Sequence, residues 1–224
     1  MNFFTLVSIF TLSNHKPMKH IKKILYIHGI NSSGNTGKTL QRIFKEKYGD
    51  IEVIAPSIPP KYDKAEKVIR DVMDNENPDL VMGTSLGGFL TLTLQTPYRI
   101  AINPTLYPSK TLLLIDTPKE ISESYVEIEK QIKDLLDWED RITVFGVFGD
   151  NDKVVNHRAE FENRYLIDHI FTVPGGEHQM KEDEFKKYIF PIVESIDANC
   201  EKVNEYVRNF DSASFADWTE ENFK

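Results

Sequence analysis

The sequence predicts an α/β fold, with a mostly parallel sheet of about six strands and helices on both faces. Short apolar segments alternate with helical patterns along most of the chain. Strict alternation of strand and helix gives a parallel sheet that is covered on both sides. The chain has 224 residues, which is enough for one such domain with its own core.

Six apolar segments are predicted to be strands, because each is short and is bounded by turn residues or helical patterns. In chain order they are residues 21–28, 51–55, 79–83, 100–103, 142–148 and 170–173. The predicted helices between and after them are residues 39–48, 62–74, 86–95, 157–166 and 180–197. The clearest helical pattern places Ala65, Ile69 and Met73 on one face.

Residues 104–140 interrupt the alternation and are predicted to be an inserted helical segment. Thr117, Pro118 and Glu120 match a capping box, with Thr117 as the N-cap. The apolar positions that follow repeat at helical spacing: Ile121, Tyr125, Ile128, Ile132 and Leu135. An ordinary crossover helix and a lid over an active site both fit this pattern, and both interpretations stay open.

The predicted domain spans residues 19–200. Residues 1–18 are interpreted as a non-core N-terminal extension, whose apolar part, 3–12, is shorter than the about 20 residues that span a bilayer. An export signal is the alternative, although no Lys or Arg precedes the apolar part. Residues 201–224 are acidic and show no clear helical period, so we expect a loose tail.

Charge and cysteine content exclude several classes of function. The formal net charge of −8 argues against nucleic-acid binding, which needs clustered Lys and Arg, and against stable association with anionic membranes. Cys200 is the only cysteine, so an intrachain disulfide is impossible and no zinc-ligand spacing exists. We therefore expect a cytoplasmic protein without a metal.

The third predicted strand runs into GTSLGG, residues 83–88, which contains a Gly-x-Ser-x-Gly motif. Between a strand and a helix, this motif is typical of a nucleophile elbow that exposes its serine, here Ser85. Side chains at Gly83 and Gly87 would collide with neighbouring backbone in such a sharp turn. The free amide of Leu86, at the start of the following helix, is then available to an oxyanion.

A serine nucleophile needs a base and an orienting acid, and both occur downstream at strand ends. His178 follows the sixth predicted strand, and Asp152 lies in the loop after the fifth. The order Ser85, Asp152, His178 is that of the α/β-hydrolase triad. Asp150 in the same loop is a rival for the acid, and we favour Asp152 from its Gly-x-x-Asp-x-Val-Val context.

Five segments together resemble the YqiA-like esterases, a branch of the α/β-hydrolases. They are LYIHGINSS, IAPSIPP, GTSLGG, INPTLYP and the GDND loop, and the resemblance covers roughly residues 21–197. It implies a cofactor-free hydrolase of carboxylic esters, with Ser85, Asp152 and His178 in the family's catalytic positions. The acid loop, GDNDKVV, is longer here than in that branch.

The loop HGINSSGNTGKT, residues 28–39, supports two kinds of chemistry. Its end resembles a phosphate-binding P-loop, but Ser32 stands where the first glycine of that motif belongs. A Walker-B strand would then be sought in LLLID, residues 112–116. Its start instead suits an oxyanion loop, in which the backbone amide of Ile30 joins that of Leu86.

We therefore expect a serine hydrolase that cleaves carboxylic esters through an acyl-enzyme, with thioesters as an open extension. Its expected partner is a small-molecule ester, and no cofactor, metal, nucleic acid or membrane insertion is implied. The oligomeric state is not predicted. The alternatives are a catalytically inactive binding protein with the same fold and, less favoured, a P-loop-type nucleotide hydrolase.

Overall fold

The fold is built on one parallel sheet. The computed structural model describes residues 18–32, 34–96, 98–132, 143–165 and 169–209. Its strands are β1 (Lys23–Ile27), β2 (Glu52–Ile54), β3 (Leu80–Thr84), β4 (Arg99–Ile102), β5 (Val144–Gly149) and β6 (Ile170–Val173). Their order is β2-β1-β3-β4-β5-β6, and every neighbouring pair is parallel. The predicted fold class is confirmed, and all six strands lie within two residues of their predicted ends.

Helices connect the strands and cover both faces of the sheet. They are α1 (Asn35–Tyr48), α2 (Tyr62–Glu76), α3 (Leu86–Leu92), α4 (Pro108–Thr111), α5 (Lys119–Glu123), α6 (Val126–Gln131), α7 (Arg158–Glu162), α8 (Glu182–Glu184) and α9 (Phe190–Asn209). A 3₁₀ helix, Leu112–Ile115, follows α4, and a π-helical segment, Phe185–Ile189, joins α8 to α9. In the described ranges, no helix is both long and apolar enough to cross a membrane.

The strands are apolar on both sides because each side faces a separate core. In β1, Ile24 and Tyr26 belong to one buried cluster, whereas Leu25 and Ile27 belong to the other. This division follows from the two-residue period of side chains along a strand. Helices α1 and α9 pack on the first cluster, and α2, α3, α6 and α7 pack on the second.

The insertion packs on the second cluster through the apolar face that the sequence predicts. Tyr125 is fully buried there, and its hydroxyl donates to the Pro60 carbonyl at 2.8 Å. Ile121, Ile128 and Ile132 contact the same cluster, whereas Leu135 lies outside the described residues. The apolar face is therefore shown for four of its five positions, and the lid remains a prediction.

Two details of the insertion differ from the sequence expectation. The helix begins at Lys119 with Pro118 as its N-cap, so the capping box at Thr117 and Glu120 is wrong. The Ser124 hydroxyl donates to the Ile121 carbonyl and accepts from the Tyr62 amide, and the predicted single helix divides there into α5 and α6. Residues 112–115 form a 3₁₀ helix, so the strand on which the nucleotide alternative depended is absent from this segment.

The C-terminal helix is longer than predicted and anchors the start of the sheet. It continues to Asn209, so the predicted end at residue 197 is wrong, while 210–224 and 1–17 lie outside the described residues. Buried Asp197 accepts hydrogen bonds from the backbone amides of Lys19, His20 and Ile21 at 2.7–3.0 Å. The amino-terminal edge of β1 is thereby tied to α9.

Candidate active site

Ser85 lies between β3 and α3 in a backbone conformation that non-glycine residues rarely adopt. Its φ is 58° and its ψ is −117°, which marks local strain. The surrounding backbone holds it there. The Ser85 amide donates to the Ile102 carbonyl at 2.9 Å, and its carbonyl accepts from the amides of Phe89 at 3.1 Å and Thr105 at 3.2 Å.

The sharp turn leaves no room for side chains on either side of Ser85. A Cβ at Gly83 would lie 2.3 Å from the Gly87 carbonyl oxygen, and one at Gly87 would lie 2.0 Å from the Ile27 carbonyl oxygen. Both distances are far below van der Waals contact. The glycine spacing of the motif therefore reflects close packing of β3, α3 and the end of β1.

The structure brings Ser85 and His178 into contact, although 93 positions separate them in the chain. His178 Nε2 lies 3.0 Å from Ser85 Oγ, at a hydrogen-bonding distance. The imidazole comes from the loop after β6, at the carboxyl edge of the sheet where β3 also ends. Sites of open α/β sheets lie at this edge.

Asp152 contacts the other nitrogen of the His178 imidazole, on the side away from Ser85. Its Oδ2 lies 2.8 Å from His178 Nδ1, and its Oδ1 accepts from the amides of Val154 at 2.8 Å and Val155 at 3.0 Å. Burial alone would raise the pKa of this carboxyl group, but the hydrogen bonds from His178 and the two amides outweigh it. The pKa of Asp152 therefore lies below its ordinary value, which keeps the group ionised.

Asp150, the rival acid, points to another partner. Its Oδ1 accepts from the Gly175 amide at 2.6 Å and so joins the loop after β5 to the loop after β6. The Asn151 amide donates to the Gly176 carbonyl at 2.9 Å and adds a second tie between the same loops. Asp150 therefore contacts the loop backbone, and Asp152 contacts the imidazole.

The predicted oxyanion loop runs directly beside Ser85. A Cβ at Gly29 would lie 3.2 Å from Ser85 Cβ, so Ile30 follows a backbone segment in contact with Ser85. The Leu86 amide is the first of α3 and has no carbonyl partner within that helix. His28 shapes the loop, since its Nε2 accepts from the Ile58 amide at 2.9 Å and its Nδ1 donates to the Gly29 carbonyl at 2.7 Å.

Sequence reasoning assigned no role to Asn103, although Asn103-Pro104 is part of the resemblance. Its buried side chain contacts Gly149, the last residue of β5, and Glu177 and His178 in the loop after β6. The only local signal is the Asn-Pro pair after a strand, because Asn is among the residues that best tolerate a left-handed conformation, and φ is 42° here. Partners so distant in the chain cannot be read from local spacing.

His157 lies near the site in a structural role. It is the N-cap residue of α7, and its Nδ1 accepts from the Leu106 amide at 3.0 Å. Burial lowers the pKa of this imidazole and favours its neutral form. His157 therefore joins the acid loop to the start of the insertion.

Among the described residues, no group of three or more His, Cys, Asp or Glu side chains is placed to hold a metal ion. The Gly-Lys-Thr segment of the opening loop lies within the first turn and a half of α1, where Lys38 is exposed. The arrangement at the carboxyl edge is instead suited to nucleophilic attack by an alcohol that a neighbouring imidazole activates.

The six-stranded parallel sheet with its serine elbow defines the chain as an α/β-hydrolase fold. A family model described as "Uncharacterised protein family (UPF0227)" matches residues 23–195. The chain belongs to this family, the YqiA-like family that its motifs resemble. A comparison with curated protein sequences gives no match.

Solved structures with the same fold share little sequence with the chain. A chain of LipS or LipT, described as metagenome-derived lipolytic enzymes, has 16% identity, a TM-score of 0.60, and coverage of 82% of this chain and 96% of its own. Est1E from Butyrivibrio proteoclasticus has 16% identity, a TM-score of 0.56, and coverage of 84% and 90%. S-formylglutathione hydrolase (FrmB) from Staphylococcus aureus has 14% identity, a TM-score of 0.56, and coverage of 83% and 87%.

Proposed function

We propose that the chain is a serine hydrolase that cleaves carboxylic esters with Ser85 as nucleophile, His178 as base and Asp152 as the orienting acid. The contact row from Ser85 Oγ to His178 Nε2 at 3.0 Å and from His178 Nδ1 to Asp152 Oδ2 at 2.8 Å is the observation that carries the proposal. Such a row is the arrangement that activates an otherwise weak serine nucleophile. The names of the fold neighbours, which include lipolytic and hydrolase enzymes, agree with this class.

The reaction begins when Ser85 Oγ attacks the ester carbonyl carbon while His178 Nε2 takes the hydroxyl proton. The amides of Ile30 and Leu86 donate to the oxyanion, and one such donor is typically worth about 3 kcal/mol in the transition state. The imidazolium, stabilised by ionised Asp152, gives its proton to the leaving alcohol, and the acyl group stays on Ser85. Water that His178 deprotonates then hydrolyses the acyl-enzyme, and the acid leaves.

Turnover of p-nitrophenyl acetate by the wild type and by Ser85→Ala tests the proposal. We expect the variant to lose about 10⁴-fold or more in kcat, because no other group can form the acyl-enzyme. Ser195→Ala, in the remote helix α9, is the matched control and should keep the wild-type rate. Equal rates for the wild type and Ser85→Ala would end the proposal.

A fluorophosphonate probe separates a catalyst from a binding protein that merely keeps the fold. We expect covalent labelling of Ser85 in the wild type and none in Ser85→Ala, since the probe reacts with activated serines. A folded wild type that the probe does not label would favour the binding protein. A panel of esters of increasing acyl length, with matching thioesters, then defines the preferred substrate.

A further inference from the structure

The segment from Ile102 to Thr105 contacts both the nucleophile and the base. The Ile102 carbonyl accepts from the Ser85 amide at 2.9 Å, and the Thr105 amide donates to the Ser85 carbonyl at 3.2 Å. Asn103, which lies between them, contacts the loop that carries His178. One short segment at the end of β4 therefore contacts Ser85 through its backbone and the His178 loop through the side chain of Asn103.

The side chain of Asn103 forms three hydrogen bonds with backbone atoms near the candidate site. Nδ2 donates to the carbonyl oxygens of Glu177 and His178, both at 3.0 Å. Oδ1 accepts from the Gly149 amide at 2.8 Å, at the start of the loop that carries Asp152. Asn103 is only 2% exposed, so water does not readily replace these partners.

Few other residues could make this set of contacts. The position needs two donors and one acceptor on a short side chain, which the amide of Asn supplies. An aspartate of the same shape could accept from Gly149, but its carboxylate would face the carbonyl oxygens of Glu177 and His178. The backbone φ of 42° is also one that Asn tolerates better than most residues.

We propose that Asn103 is a positioning residue for the reaction: it fixes the His178 backbone so that Nε2 stays opposite Ser85 Oγ. The proposal rests on the hydrolase function proposed above. The side chain of Asn103 hydrogen-bonds to backbone atoms of Gly149, Glu177 and His178, so it acts on the reaction through the position of His178. Its loss should therefore reduce kcat while the substrate still binds.

Two substitutions remove different parts of the contact. Asn103→Gly deletes the side chain and accepts the positive φ without strain, whereas Asn103→Asp keeps the shape and loses both donors. We expect both to lower kcat by about 100-fold, as misplacement of a catalytic group by about 1 Å does. KM should stay within about threefold of the wild type, because the removed interaction is not with the substrate.

Asn77→Gly is the matched control, since Asn77 also has a left-handed conformation, with φ of 45°, at the end of α2. It should keep the wild-type kcat. The inference is overturned if folded Asn103→Gly or Asn103→Asp has a kcat within about twofold of this control. If the wild type itself shows no turnover and no probe labelling, the proposed function fails instead.

A measurement on the wild type does not depend on how the variants fold. Scalar couplings across hydrogen bonds should connect the Asn103 side-chain nitrogen to the carbonyl carbons of Glu177 and His178 in NMR spectra. Their presence supports the contact described here. An Asn103 amide without either coupling, and with fast solvent exchange, would overturn the inference.

Discussion

Asp150 and Asp152 lie two residues apart in one loop, and their carboxylates bind different groups. Asp152 Oδ2 contacts the His178 imidazole, and its side chain is only 3% exposed. Asp150 Oδ1 accepts from the backbone amide of Gly175. In the proposed mechanism, the first contact orients a reacting ring, whereas the second holds one loop against its neighbour.

Asparagine substitution should separate these two contacts. Asp152→Asn should lower kcat by about 10⁴-fold, because an amide stabilises the wrong imidazole tautomer and cannot compensate the imidazolium. Asp150→Asn retains an oxygen that can accept from Gly175, so its kcat should stay within about threefold of the wild type. Steady-state kinetics on one ester measures both, and the reverse ranking would reassign the acid.

At the scale of elements, the insertion has a helix start that its local sequence does not predict. Pro118 is the N-cap of α5, and among the described residues Thr117 Oγ1 is buried with no hydrogen-bond partner. A buried hydroxyl without a partner costs free energy of folding. At the other end of α5, the C-cap residue Ser124 accepts a hydrogen bond from the Tyr62 amide, a contact with a distant part of the domain.

Thr117→Val tests whether α5 starts with Pro118 as its N-cap or with a capping box at Thr117. We expect the free energy of unfolding to rise by about 1 kcal/mol, because the change removes an unpaired hydroxyl and keeps the shape. A capping box would predict a loss of about 1 kcal/mol instead. Urea unfolding measures the sign. Glu120→Gln, at an exposed position, is the control and should leave the stability unchanged.

The elements that the sequence predicts well are those whose signals are local. The six strands and the glycine spacing around Ser85 follow from short patterns, since strand burial and a tight turn restrict adjacent residues. The Ser124–Tyr62 contact, where the insertion divides, and the side-chain contacts of Asn103 join residues 46–75 positions apart. No periodicity records such contacts, so these features required the structure.

At the scale of the whole molecule, the candidate site and the Asp197 anchor lie at opposite edges of the sheet. Ser85, Asp152 and His178 follow the carboxyl ends of β3, β5 and β6. Asp197 binds three successive amides just before β1, at the amino edge. Stability and the proposed chemistry therefore depend on separate groups.

Asp197→Ala should lower the free energy of unfolding by about 3 kcal/mol, because three backbone amides lose their charged acceptor and the amide of Ile21 is buried. The folded fraction should keep the wild-type kcat, since the site lies at the other edge. Glu201→Ala is the control: its side chain is 76% exposed and pairs only with His20 among the described residues. Urea unfolding with parallel ester assays would reveal a coupled loss of activity, which contradicts this separation.

The hydrogen bonds to Asp197 can form only after α9 has been synthesised. Lys19, His20 and Ile21 are synthesised 176–178 residues before their acceptor, Asp197. Ser85 likewise precedes its imidazole by 93 residues. A nascent chain thus carries the proposed nucleophile before its proposed base has been made, and α9 is synthesised long after β1, the strand that it secures.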